Sequence, residues 1–231
     1  MNWSIEDFVY GALDGSVTTF AVVAGVVGAS LSPSVILILG FANLFADGFA
    51  MAVGNYVSSK SRIEYVESER RREEQEIESL PDKKIQEISD IYYEKGFRKE
   101  LLDEVNRVIT SKRKVWLDVL MKEKIGLAEF KDENPLSKAV TTFAAFNLIG
   151  LIPLLPFIFI FALGFSSSFT LKDIFIYSAV FTGLSFFIIG VIKGKVVGKS
   201  AVRSGIHTLT VGGLAALVSF FIGSFLSYYI E

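Results

Sequence analysis

The chain has 231 residues, a formal net charge of −2, no cysteine, one histidine (His207) and 51% hydrophobic residues, with a mean hydropathy of +0.47. Without cysteine there is no disulfide framework, thiolate metal site or cysteine nucleophile, and a single histidine excludes a His-rich zinc centre. The near-neutral balance offers nucleic acid no basic surface, so any metal site must use carboxylates, amides, carbonyls, hydroxyls or methionine sulfur.

The charge is unevenly placed: 17 of 23 Lys+Arg fall between Lys60 and Lys131, and 19 of 25 Asp+Glu between Glu64 and Glu133. The rest is nearly bare of charge. A bilayer core about 30 Å thick needs about 20 mostly apolar helical residues, and five segments meet or approach that length. In chain order, Phe8–Leu31 holds one ionisable residue, Asp14, and Ser34–Val57 holds only Asp47. Beyond the charged insert, Ala139–Phe169 and Ile174–Ile192 hold none, and Gly205–Ile230 holds only His207. The expected fold is an all-α polytopic membrane protein with five transmembrane helices and a cytosolic helical insert between the second and third. The expected parts are residues 1–59 (first two spans), 60–134 (insert) and 135–231 (last three spans).

The first span lacks a positive n-region, with Glu6 and Asp7 in its place, so it reads as permanent and not as a cleaved signal. Turns are expected at Ser32-Pro33, at Ser166-Ser167-Ser168 and over Lys193–Ser204. Pro153 and Pro156 should kink or break the third span, which is tolerated where protein or a wet cavity satisfies the freed carbonyls. The last loop carries Lys193, Lys195, Lys199 and Arg203, while the first carries no basic residue. The positive-inside rule then puts the N-terminus and the insert in the cytosol. A compact length without a targeting extension points to a prokaryotic plasma membrane.

Within the insert, residues 60–79 continue the second span without Gly or Pro, and Pro81 ends that helix. Ile85, Ile88, Ile91 and Tyr92 form a helical stripe stopping at Gly96, an expected C-cap. Leu101, Leu102, Val105, Val108, Ile109, Trp116, Val119 and Leu120 mark one or two further amphipathic helices ending near Gly126. A small helical bundle follows.

An ionised side chain deep in lipid costs several kcal/mol unless it meets a partner or water, which makes Asp14 and Asp47 functional candidates. Asn43, Asp47, Met51 and Asn55 recur every four residues and form one polar stripe on an apolar helix. Asp14 lies about 9 Å from the start of its span and Met51 about 9 Å from the end of the next, so the two can meet at one level. Carboxylate beside thioether suits a borderline transition metal better than Mg²⁺ or Ca²⁺. The plainer alternatives are interfacial placement for Asp14, a helix–helix hydrogen bond for Asp47 and packing for Met51. Thr18, Ala21, Gly25 and Ala29, flanked by Ala24 and Gly28, form a small-residue ridge that lets helices approach closely. It is either the seam of a two-fold dimer, with two Asp14 side chains facing each other, or a seat for the last span through Gly212, Ala216, Ser219 and Gly223. In the insert, Glu69, Glu73 and Glu76 share a helix face, and Glu87 and Asp90 lie on the next helix. Such carboxylates can chelate a cation or form a solvated face neutralised by Arg70–Arg72.

The runs Asp14–Val26 (DGSVTTFAVVAGV) and Ala46–Ser58 (ADGFAMAVGNYVS), continuing through Ile91–Gly96 and Leu151–Pro156, closely resemble the vacuolar iron transporter family over essentially the whole chain. The resemblance implies a homodimer of five-span subunits that moves Fe²⁺, and often Mn²⁺, out of the cytosol in exchange for protons. By the same resemblance Asp14 and Met51 line the path at the dimer axis, and the cytosolic helices gather metal through Glu73, Glu76, Glu87 and Met121, with Asp90 and Glu123 beside them. This chain has Asn55 where relatives commonly have glutamate, Asn43 where plant members have an acid nearby, and a single methionine with a displaced glutamate in Leu120–Lys124. The expectation is therefore a metal/proton antiporter and not an enzyme, with Asp14, Thr18, Asn43, Asp47, Met51 and Asn55 on the path. No prosthetic group is expected; the partners are a second copy, the lipid bilayer, divalent metal and protons. A passive cation channel and a membrane-anchored interaction module are the alternatives.

Overall fold

A computed structural model of the chain describes residues 5–126, 134–164 and 169–230. All regular structure among the described residues is helical: α1 (Ile5–Gly28), α2 (Pro33–Ser79), α3 (Pro81–Glu94), α4 (Lys99–Thr110), α5 (Arg113–Val119), α6 (Pro135–Gly150), α7 (Leu155–Ala162), α8 (Leu171–Val196) and α9 (Ala201–Ile230). A π-helical turn, Leu120–Lys124, follows α5, and a 3-10 turn, Ile152–Leu154, joins α6 to α7. Five helical stretches are long and apolar enough to cross a membrane: α1, α2, α6 with α7, α8 and α9. The protein is a polytopic all-α membrane protein. The chain forms two compact units, Met1–Tyr56 with Asn134–Glu231, and Val57–Glu133.

In the first unit α1 is the central helix. Its Phe20, Val23 and Ala24 pack in one apolar core with Ile36 of α2, Phe157 of α7, Phe186 of α8 and Ala216 of α9. The α1–α2 turn closes with Ser30 at φ 56°, while the Leu31 N–H bonds the Val26 carbonyl and the Ser30 N–H bonds that of Val27. Pro33 then opens α2, where a missing N–H costs nothing. The third span breaks where its prolines stand, and Ser178 Oγ of α8 donates to the Pro153 carbonyl at 2.6 Å, so neighbouring protein satisfies the interrupted turn. The turn expected at Ser166–Ser168 lies outside the described residues.

In the second unit α2 ends at Ser79 and α3 begins at Pro81. Gly96 terminates α3 at φ 101°, with the Phe97 N–H on the Tyr92 carbonyl, the geometry expected of a glycine cap. Ile77, Ile88, Ile109, Trp116, Leu117, Leu120 and Met121 form the core. Three apolar residues of the sequence stripes stay outside: Ile85, Leu101 and Val108 are 38%, 57% and 58% exposed. On α4, Leu102, Val105 and Ile109 follow one line of the helix and face inward; Leu101 and Val108 follow the next line round, which this small cluster leaves uncovered.

Candidate functional site

Glycine sets how α1 is held. Gly11 and Gly15 lie against the backbone of α6, where a Cβ would stand 2.5 Å from the Thr142 carbonyl oxygen and 2.3 Å from that of Phe146. One residue from Gly15, Asp14 is turned outward and is exposed on the surface of the unit. The small-residue ridge further along α1 is occupied within the chain. A Cβ on Gly28 would meet the Phe220 carbonyl at 2.2 Å and one on Gly223 the Gly25 carbonyl at 2.0 Å. Ser219 Oγ also donates to the Ala21 carbonyl at 2.6 Å. Of the two partners that the sequence allows for this ridge, α9 takes Gly25 and Gly28.

The polar stripe of α2 divides. Asn55 Nδ2 donates to Asp7 Oδ1 at 2.9 Å and to Thr142 Oγ1 at 2.7 Å, which ties α2 to α1 and α6. From that anchor, seven residues along α1 reach Asp14 and eight back along α2 reach Asp47, about 10.5 and about 12 Å at helical rise. By that count the two carboxylates stand at about the same level. Both are exposed, and Met51 is half-buried one turn from Asp47 on the same helix line. By the same count Met51 sits about one turn from the level of Asp14 and Asp47. Neither carboxylate has a hydrogen bond or ion pair among the described residues. The Thr18 hydroxyl bonds the Asp14 backbone carbonyl at 2.8 Å. Asn43 Nδ2 and Asn147 Oδ1 are buried without a hydrogen-bond partner, a state costing about 1–3 kcal/mol per atom.

Asn147, Thr142 and Asp7 are site neighbours that sequence reasoning missed. Asn147 is the sole amide between Ala139 and Phe169, a signal that a search for ionisable groups passes over, and it lies against Gly48 of α2. Gly11 and Gly15, four residues apart, carried the missed signal for α1–α6 packing.

The glutamates of the second unit are held differently. Lys84 of α3 is fully buried, as is Glu73 of α2. The Lys84 Nζ lies 2.5 Å from Glu73, 2.6 Å from Glu76 and 3.2 Å from Glu87. Lys124, from the π-helical turn, adds bonds of 3.0 Å to Glu73 and 2.9 Å to Glu87. Burial pulls the Lys84 pKa down, but the hydrogen bonds to Glu73 and Glu76 outweigh it and hold the ammonium above lysine's ordinary value. The bond to Lys84 holds Glu76 below the usual carboxylate range. Burial pushes Glu87 up, and the bonds to Lys124 and Lys84 bring it below that range.

The remaining metal-ligand expectations are not gathered here. Asp90 accepts from Gln86 at 2.7 Å, Glu123 pairs with Lys95, and Met121 is in the apolar core beside Trp116 and Leu120. Glu69 pairs with Arg72 at 2.7 Å. Among the described residues no group of three or more His, Asp or Glu is arranged to hold a metal ion. Helix faces put several of these acids near one another, and lysines fill the space between them.

Comparison with known proteins agrees with this architecture. A profile of the VIT family matches residues 5–224. The vacuolar iron transporter of Toxoplasma gondii is 36% identical over 225 residues, 96% of this chain and 74% of that protein. The vacuolar iron transporter of Plasmodium falciparum is 31% identical, covering 95% and 81%, and vacuolar iron transporter 1 of Arabidopsis thaliana is 30% identical, covering 94% and 83%. With nearly the whole length matched, four spans entirely and most of the fifth, the chain belongs to the VIT family.

Proposed function

We propose that this chain transports a divalent transition metal, Fe²⁺ with Mn²⁺ accepted, out of the cytosol in exchange for protons. The observation that carries the reading is the pair Asp14 and Asp47: level with each other, inside apolar spans, exposed and without a cation partner among the described residues. An ionised acid at the centre of a span costs about 2.5–3.5 kcal/mol on insertion scales, so this face is unsuited to lipid and suited to a cation in a wet path. Met51 one turn away supplies a soft ligand that suits a borderline transition metal such as Fe²⁺ better than Mg²⁺ or Ca²⁺. Asn43 and Asn147 offer amide dipoles along the same stretch.

A carboxylate holds either a proton or a share of a metal ion, so competition at Asp14 and Asp47 couples the two flows. A second copy of the chain seated on the Asp14–Asp47 face would remove it from lipid and place four acids about a two-fold axis. With Gly25 and Gly28 taken by α9, that seam runs through Asp14 and Thr18 and not along the whole small-residue ridge. The positive-inside rule supports a cytosolic N-terminus.

Anaerobic proteoliposomes loaded with a metal-quenched dye and a pH dye test this. Fe²⁺ entry accompanied by proton exit is expected, with entry abolished in Asp14→Ala. Full transport by Asp14→Ala would overturn the path, and metal entry with no proton movement would make the protein a passive channel.

A further inference from the structure

The acidic cage in the helical unit already contains a cation. Glu73 and Glu76 lie on one face of α2, Glu87 lies on α3 one turn from Lys84, and the Lys84 ammonium sits among all three at 2.5–3.2 Å. An ammonium has three N–H donors, and Lys84 has three carboxylate partners, so its hydrogen-bonding capacity is used up. Its side chain and that of Glu73 have no exposure to solvent. Lys124 closes the same cage with bonds to Glu73 and Glu87.

We infer that Lys84 is the resident cation of this cage and decides its selectivity: while it is in place, the helical unit binds no divalent metal there. Charge and space both argue for this. Three carboxylates against two ammoniums leave one net negative charge; a divalent ion added to that set would leave a buried excess of positive charge, and it would need the volume that Nζ fills. Without Lys84 the balance is two negative charges, which one divalent ion neutralises. The donors are then all carboxylate oxygens, a set suited to Mn²⁺. The inference stands on these ion pairs and not on the transport reading.

Mn²⁺ binding to the full-length protein in detergent at neutral pH, read from loss of the free-ion EPR signal, tests it. The unsubstituted chain and Glu76→Gln are expected to bind Mn²⁺ identically, since any site they share lies elsewhere. Lys84→Gln is expected to gain one Mn²⁺ site per chain and to lose it when Glu76→Gln is added. A folded Lys84→Gln protein with no new site overturns the inference. So does an Mn²⁺ site of the unsubstituted chain that Glu76→Gln removes. Should Lys84→Gln fail to fold by Trp116 fluorescence, the comparison of the unsubstituted chain with Glu76→Gln decides alone. Asp14→Ala transport plays no part in either readout, so the two proposals fail separately.

Discussion

The spans and the helical unit treat their acids in opposite ways. In the helical unit each carboxylate of the cage has an ammonium against it, down to a Lys84–Glu73 pair sealed from solvent. In the spans, Asp14 and Asp47 stand level with neither a cation nor a hydrogen bond among the described residues. Desolvating a charge is costly in both places, but the first arrangement cancels it with fixed protein charge, whereas the second leaves it to be met from outside. A group satisfied within its own fold is a structural element. An acid kept in an apolar helix without a partner is where a mobile cation has something to gain.

The contrast can be broken most severely where backbones touch. Gly15→Leu should abolish monodisperse protein in detergent, because a side chain there would run into the Phe146 carbonyl; Gly54→Leu, with open space around it, should behave as the unsubstituted chain on the same size-exclusion column. The next effect compares the two kinds of acid directly. Lys84→Ala leaves Glu73 buried without its main partner and should cost about 3–5 kcal/mol of helical-unit stability, measured by denaturant unfolding with Trp116 fluorescence in a Trp3→Phe background. Asp14→Asn removes a charge that nothing in the fold cancels, so it should leave stability unchanged while stopping transport. Equal destabilisation by the two would erase the distinction.

Acid gives the smallest and most graded effect. Glu76, Glu87 and Glu123 are each held below the ordinary carboxylate value of 4.5, with lysine hydrogen bonds stabilising the charged form. A carboxylate whose folded pKa is depressed contributes stability that is present above its unfolded pKa and lost as pH falls through the folded one. The helical unit should therefore hold constant stability from neutral pH to about 4.5 and lose it below. Trp116 fluorescence against pH checks this, and loss of stability beginning near neutrality would contradict it.

Much of the architecture was legible because its causes are local. Long uncharged runs mark spans, Pro81 and Gly96 mark helix ends, and Pro153 marks a broken turn, each through a property of one residue or one stretch. The polar stripe of α2 was legible for the same reason. Its partners were not: Asn55 is committed to Asp7 and Thr142, contacts that periodicity on α2 cannot reveal. The glutamate faces were equally plain, but Met121 beside them served the apolar core, and Lys84, which no local pattern singles out, is fully buried among the glutamates.

What the amino-acid sequence determined alone was the division into apolar spans and charged helices, and which side chains share a helix face, since both depend on composition and the 3.6-residue repeat. Only the tertiary structure decided what lies opposite each face: α9 against Gly25 and Gly28, Asp47 level with Asp14, and Lys84 within the glutamates. Those choices depend on backbone approach and charge cancellation between residues far apart in the chain, which no local pattern records.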